Sequence, residues 1–226
     1  MRLLLISSSN VHGYGYLDHA EPEIRRVLEG RRSVSFVPFA LANHDAYTDK
    51  VRERLGRMGF EVVQVRERAD VESAEAIFVG GGNTFRLLKH LHDGGFLDAI
   101  RKRVREDGVP YIGSSAGTNM AMPTIMTTND MPVVYPPTFD ALGLVSFQIN
   151  PHYLDPDPNS THRGETREER IREFLEENDL PVVGLREGTM LRVDDDRVTL
   201  VGERPARIFR RGQEPVELPP GSPVEV

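Results

Sequence analysis

Short runs of apolar and β-branched residues alternate along the first half of the chain with segments whose apolar residues recur at helical spacing. Leu3-Leu4-Leu5-Ile6, Val34-Ser35-Phe36-Val37, Val62-Val63-Gln64-Val65, Ala76-Ile77-Phe78-Val79 and Tyr111-Ile112 read as strands. Between them, Glu23 to Leu28, Tyr47 to Met58, Phe85 to His92 and Phe96 to Glu106 read as helices. In the last, Phe96, Leu97, Ile100 and Val104 share one face. Such alternation predicts a mostly parallel sheet with helices on both sides. The C-terminal part reads differently. Met190-Leu191-Arg192-Val193 and Arg197-Val198-Thr199-Leu200-Val201, separated by an acidic turn at Asp194-Asp195-Asp196, predict an antiparallel hairpin, followed by a strand over Ala206 to Phe209. Without an internal repeat or a low-complexity linker, residues 1–226 are expected to form a single α/β domain with an antiparallel appendage.

Composition narrows the function classes. Hydrophobic residues make up 38% and charged residues 28%, ordinary values for a globular protein. A net charge of −7 argues against nucleic acid as a partner, since phosphate contacts need a basic surface. The basic run Arg101-Lys102-Arg103-Val104-Arg105 falls on a helix and reads as a solvated face. Zero cysteines exclude disulfides, thiol nucleophiles and thiolate metal sites. Residues 1–30 do not read as a secretory leader, and no run of 18 apolar residues suggests a membrane partner. A cytoplasmic location is therefore expected, and oligomeric state leaves no legible signature.

The candidate chemistry centres on Gly113-Ser114-Ser115-Ala116-Gly117, which follows a strand and precedes a segment rich in small residues. Strand, Gly-x-Ser-x-Gly, then helix is the pattern of a nucleophile elbow, in which a sharp turn presents the central serine, Ser115. The ordinary alternative is a small-residue turn. In sheets of this kind, sites collect beyond the C-terminal strand ends. There, Val79-Gly80-Gly81-Gly82-Asn83-Thr84 could turn backbone N–H groups toward an oxyanion, or could simply be a tight turn. It lacks the Gly-Lys-Ser/Thr of a P-loop.

A serine needs a base. Of seven histidines, His12, His19, His44, His90, His92, His152 and His162, His152 stands out because it follows the strand-like run Phe147 to Asn150. His90 and His92 are two apart on a helix and cannot share a metal, and no His-Glu-x-x-His is present, so no metal is expected. Two acids compete to orient the imidazole: Asp130, in the loop after the elbow helix, and Glu187, directly after the apolar run Val183-Gly184-Leu185. Strand-end position favours Glu187, although either could cap a turn. Thr166 and Glu169 form a capping-box pattern that puts Arg167 in the first turn of a helix. A cation there opposes the helix dipole, which is easier to understand if it binds an anion such as a substrate carboxylate; pairing with Glu165, Glu168 or Glu169 is the plainer alternative.

Taken together, six segments in order resemble the S51 serine peptidases, a family of α-aspartyl dipeptidases. They are Val79 to Phe85, Gly113 to Gly117, Thr127-Thr128-Asn129-Asp130-Met131-Pro132, Gln148 to His152, Gly164 to Arg167 and Gly184 to Gly188. The resemblance implies an α/β fold like that of class I glutamine amidotransferases and cleavage of small peptides, dipeptides with an N-terminal aspartate, without metal or cofactor. It implies Ser115 as nucleophile, His152 as base and Glu187 as third member, with Asp130 the competing assignment. Gly82 and Ala116 would supply oxyanion N–H groups, and Arg167 would bind the aspartyl side chain. Two rivals remain: a hydrolase of aspartyl-arginine polymers of the cyanophycinase type, and a non-catalytic binding module on the same fold.

Overall fold

The computed structural model describes residues 1–157, 159, 161 and 164–225; Pro158, Ser160, His162, Arg163 and Val226 lie outside the described residues. The chain runs β1 (Arg2–Ile6), α1 (Glu21–Val27), β2 (Ser33–Val37), α2 (His44–Arg57), β3 (Glu61–Gln64), α3 (Arg68–Glu72), β4 (Ile77–Val79), α4 (Thr84–Asp93), α5 (Phe96–Arg105), β5 (Tyr111–Ser114) and α6 (Ala116–Met120). It continues through β6 (Gln148–Pro151), α7 (Arg167–Glu177), β7 (Val182–Leu185), β8 (Thr189–Asp194), β9 (Arg197–Gly202), β10 (Ala206–Phe209) and β11 (Val216–Leu218).

A seven-stranded sheet has the order β3-β2-β4-β5-β1-β8-β9. Its first five strands are parallel, and β8 and β9 add antiparallel beside β1. Strand alternation explains the layers. Leu3, Leu5, Ile77, Val79 and Tyr111 face one core with Leu87, Leu88 and Leu91 of α4 and Ile100 and Val104 of α5. Leu4, Ile6, Val34, Phe36, Phe78 and Ile112 face the other, with Ile24 of α1 and Val51 and Leu55 of α2. Both faces are covered, which is why β1 and β4 read as continuous apolar runs.

The expected parallel sheet, its flanking helices and the C-terminal hairpin are all present. The hairpin is not an appendage, however. Its strand β8 pairs with β1 from Arg2↔Asp194 to Ile6↔Met190 and so extends the main sheet. A second sheet, β11-β10-β7-β6, was not foreseen. In it β6 and β7 run parallel, while β10 and β11 run antiparallel. Ile149, Val183 and Leu185 turn toward the core of the main sheet. Val182 and Phe209 pack instead against Ile171 and Leu175 of α7. The expected strand over Ala206 to Phe209 forms, but belongs to this second sheet.

Candidate active site

The site lies where the C-terminal ends of β1, β4 and β5 in the main sheet meet those of β6 and β7 in the second. Ser115 sits between β5 and α6 at φ 52°, ψ −109°, a strained conformation for a residue with a side chain. Surrounding contacts impose it. Ser115 N–H donates to the Ile6 carbonyl at 3.0 Å, and the Thr118 hydroxyl donates to the same carbonyl at 2.7 Å, sewing the turn to the end of β1. The motif glycines are required by close approach. A Cβ on Gly113 would come within 2.5 Å of the Gly117 carbonyl oxygen, and one on Gly117 would strike the Val79 carbonyl.

The two adjacent serines separate by burial. Ser114 closes β5 opposite Ile6 and is fully buried, its hydroxyl without a partner, whereas Ser115 is part-exposed. The Ser115 Oγ lies 3.0 Å from Nε2 of His152. Nδ1 of the same ring lies 2.7 Å from Oε1 of Glu187. A carboxylate can only accept, so Nδ1 carries the proton and Nε2 is left to accept from the Ser115 hydroxyl.

His152 and its partner Glu187 both follow strands of the second sheet. His152, directly after β6, adopts φ 56°. Its N–H donates to the Ser7 hydroxyl at 2.9 Å, which in turn donates to the Leu185 carbonyl at 2.7 Å. Glu187 occupies the turn between β7 and β8, closed by Thr189 N–H donating to the Arg186 carbonyl at 3.2 Å. The neighbouring Arg186 is 5% exposed and grips Asp155 and Glu217 through both of its terminal nitrogens and Nε.

Asp130 is not at the imidazole. Its Oδ2 accepts from Thr84 N–H at 2.7 Å and from the Thr84 hydroxyl at 2.6 Å, at the start of α4. The Asp130 carboxylate is engaged at a helix N-terminus, where negative charge is favoured, and Glu187 is the acid beside the imidazole.

The Gly80–Asn83 turn leans on the elbow: a Cβ on Gly81 would lie 3.0 Å from both the Ser114 carbonyl oxygen and the Ser115 Cβ. Gly82, at φ 135°, and Ala116, the first residue of α6, have backbone N–H groups with no hydrogen-bond partner among the described residues. Two free donors thus flank the presented serine, one from each loop.

Arg167 begins α7 behind the predicted capping box, in which Thr166 and Glu169 exchange hydrogen bonds at 3.2 and 2.6 Å. It lines an open cleft of ≈ 540 Å³ with Asn129, Leu154, Asp155, Asp157 and Arg170. Its neighbours on the helix are paired, Arg170 with Glu165 and Arg172 with Glu168. Arg167 itself has no ion pair among the described residues. Burial, and then the charge of Arg170, lower its pKa, while Asp130 opposes them. A part-buried cation with no carboxylate partner among the described residues has the chemistry to bind an anion.

Comparison with known proteins decides the family. The family model for peptidase family S51 matches residues 3–201. The chain belongs to peptidase family S51. Peptidase E of Streptomyces coelicolor is 59% identical over 226 residues, covering 98% of this chain and 93% of that protein. A Drosophila melanogaster protein named "Probable alpha-aspartyl dipeptidase" is 51% identical over 224 residues, covering 96% and 93%. The crystal structure of a peptidase from an acI-B1 actinobacterium superposes with a TM-score of 0.69 at 18% identity, covering 100% of this chain and 96% of that one, a likeness of fold.

Some residues that hold this S51 site together were not singled out from the sequence. Ser7, in the run Ser7-Ser8-Ser9 after β1, is one; Asn119, Asn129 and Asn150 are others. The only signal was the position of Ser7 at a strand end and of the asparagines within or beside the matching segments. No helix among the described residues is long and apolar enough to cross a membrane.

Proposed function

We propose that this S51 peptidase is a serine-type dipeptidase that hydrolyses dipeptides with an N-terminal aspartate. The observation that carries the reading is the line from Ser115 Oγ through the His152 ring to Glu187, with spacings of 3.0 and 2.7 Å. His152 accepts the Ser115 proton as Oγ attacks the peptide carbonyl, and Glu187 stabilises the imidazolium that forms. The Gly82 and Ala116 amides hold the tetrahedral oxyanion. His152 then protonates the leaving amine, and water, activated by the same ring, hydrolyses the aspartyl ester on Ser115.

The aspartyl preference is supported by Arg167 in its cleft and by the names of the relatives. Arg167 binds the side-chain carboxylate of the first residue. Glutamate, one methylene longer, would move the scissile carbonyl off Ser115, and small misplacements cost rate heavily. The proposal includes a cytoplasmic location, which fractionation of the producing cells tests.

Hydrolysis of Asp-Leu, Glu-Leu and Ala-Leu by the purified protein tests the substrate claim. Asp-Leu should be cleaved at least about 10²-fold more efficiently than the other two. Equal rates on all three would sink it.

A further inference from the structure

Asp130 lies outside the Ser115–His152–Glu187 line, yet it terminates a segment whose side chains are all engaged. In Thr127-Thr128-Asn129-Asp130, each side chain bonds to an element that carries part of the site. Asn129 donates to the Pro151 carbonyl at 2.6 Å, one residue before His152. The 3%-exposed Asn150 donates back to Asn129 Oδ1 at 2.8 Å and to the Thr127 carbonyl at 2.9 Å. Asn119, one turn beyond Ser115, donates to the Thr84 and Thr128 hydroxyls, each at 3.0 Å. Asp130 itself accepts from both donors of Thr84, two residues past Gly82.

We propose that Asp130 is a positioning residue: through Thr84 it fixes the Gly80–Asn83 turn against Ser115, so that the Gly82 amide meets the developing oxyanion. This rests on the serine peptidase reading. The two Thr84 bonds are charge-assisted and among the shortest at the site, and hydrogen bonds to an ionised acceptor are roughly twice as strong as neutral ones. Without them the start of α4 loses the anion that fixes it, and the glycine turn is left to the bonds of Gly80 N–H to the Val37 carbonyl and Asn83 N–H to the Ala40 carbonyl. Asp130 needs its acceptor oxygen for this role, and its charge only to strengthen the bonds. A relay acid would need the charge itself.

That difference is measurable. Steady-state kinetics on Asp-Leu across pH are compared for wild type, Asp130→Ala, Asp130→Asn and Thr84→Val. Asp130→Ala should lower kcat about 10²-fold with little change in KM, in the range seen when an oxyanion donor is lost. Asp130→Asn still accepts from Thr84 and should stay within about tenfold of wild type. The midpoint of the acidic limb of kcat/KM should not move in Asp130→Asn. Thr84→Val removes the hydroxyl bond to Asp130, together with those the hydroxyl accepts from Asn119 and Thr128, and keeps the Thr84 N–H bond to Asp130. It carries the test if Asp130→Ala does not fold, and its kcat should fall by a smaller factor. A loss of about 10⁴-fold in Asp130→Asn, with the acidic limb moving to lower pH, would make Asp130 the partner of His152 and overturn the proposal. Unchanged kcat in Asp130→Ala, or in Thr84→Val, would overturn it as well. Full activity in Ser115→Ala would instead remove the serine peptidase reading, an outcome separate from all of these.

Discussion

The hydroxyl of Ser7 accepts the backbone N–H of His152 at 2.9 Å while donating to the Leu185 carbonyl at 2.7 Å. Ser7 follows β1 in the main sheet, and His152 and Leu185 end neighbouring strands of the second. One side chain thus sets the height of the base relative to Ser115, which β1 also anchors. Ser7→Ala should lower kcat on Asp-Leu about 10-fold or more, with KM nearly unchanged, because the ring loses its register with Oγ. Steady-state kinetics check this; an unchanged kcat would mean that β6 positions His152 unaided.

Arg167 separates substrate selection from chemistry. Arg167→Ala should cut kcat/KM for Asp-Leu by about 10²-fold, the scale of a charge-assisted contact, and leave Ala-Leu within about threefold. The two substrates assayed side by side give the answer. A larger loss on Ala-Leu than on Asp-Leu would contradict the role.

Gly117 tests the elbow's packing. A methyl group there strikes the Val79 carbonyl, which belongs to a central strand and cannot retreat. Gly117→Ala should therefore destabilise the fold by about 2 kcal/mol or more. For a chain of this size that lowers Tm by at least about 4 °C. Gly30→Ala meets nothing within 4 Å but sits at φ 76°, so its cost is backbone strain alone and should be smaller. Thermal melts of the two variants compare them.

The Arg186 cluster has a pH signature. Hydrogen bonds from Arg186 hold the Asp155 carboxyl below the usual aspartate range. A carboxyl with a depressed folded-state pKa adds stability that is present above its unfolded value of about 4 and is lost as pH falls through the folded value. Arg186→Met should therefore lower Tm at pH 7 by several degrees, with the gap from wild type narrowing near pH 3. A gap that is constant between the two pH values would show that Arg186 acts by packing and not through its carboxylate partners.

The main sheet was legible because β1, β2 and β4 are buried on both faces, so that β1 and β4 spell nearly unbroken apolar runs and β2 interrupts its run only with the small Ser35. Of the second sheet, the runs Phe147 to Asn150, Val183 to Leu185 and Ala206 to Phe209 were readable, but not their assembly into a sheet with β11. β6 is Gln148-Ile149-Asn150-Pro151 and β11 is Val216-Glu217-Leu218, short and half polar, and their pairing with distant partners leaves no local pattern. The five-residue α3 was missed for a similar reason, being too short for periodicity to register. In the site, the sharp turn at Ser115 was readable from the backbone demands of its motif, and the place of Arg167 in the first turn of α7 from the capping-box pattern. Choosing Glu187 over Asp130 was harder, since both acids follow site elements in loops. Only the three-dimensional path of β7 brings Glu187 to the ring, while the N-terminus of α4 holds Asp130. Ser7 and Asn129 resemble ordinary loop residues in sequence, and Ser7 acts on a residue 145 positions away.

The central claim is that Ser115 is the nucleophile that His152 and Glu187 activate. It is tested most directly by kcat/KM for Asp-Leu in wild type and in Ser115→Ala, with Ser114→Ala as the neighbouring control. Ser115→Ala should lose at least about 10⁴-fold, and Ser114→Ala, whose hydroxyl is buried without a partner, should remain active. Activity within tenfold of wild type in Ser115→Ala would contradict the account.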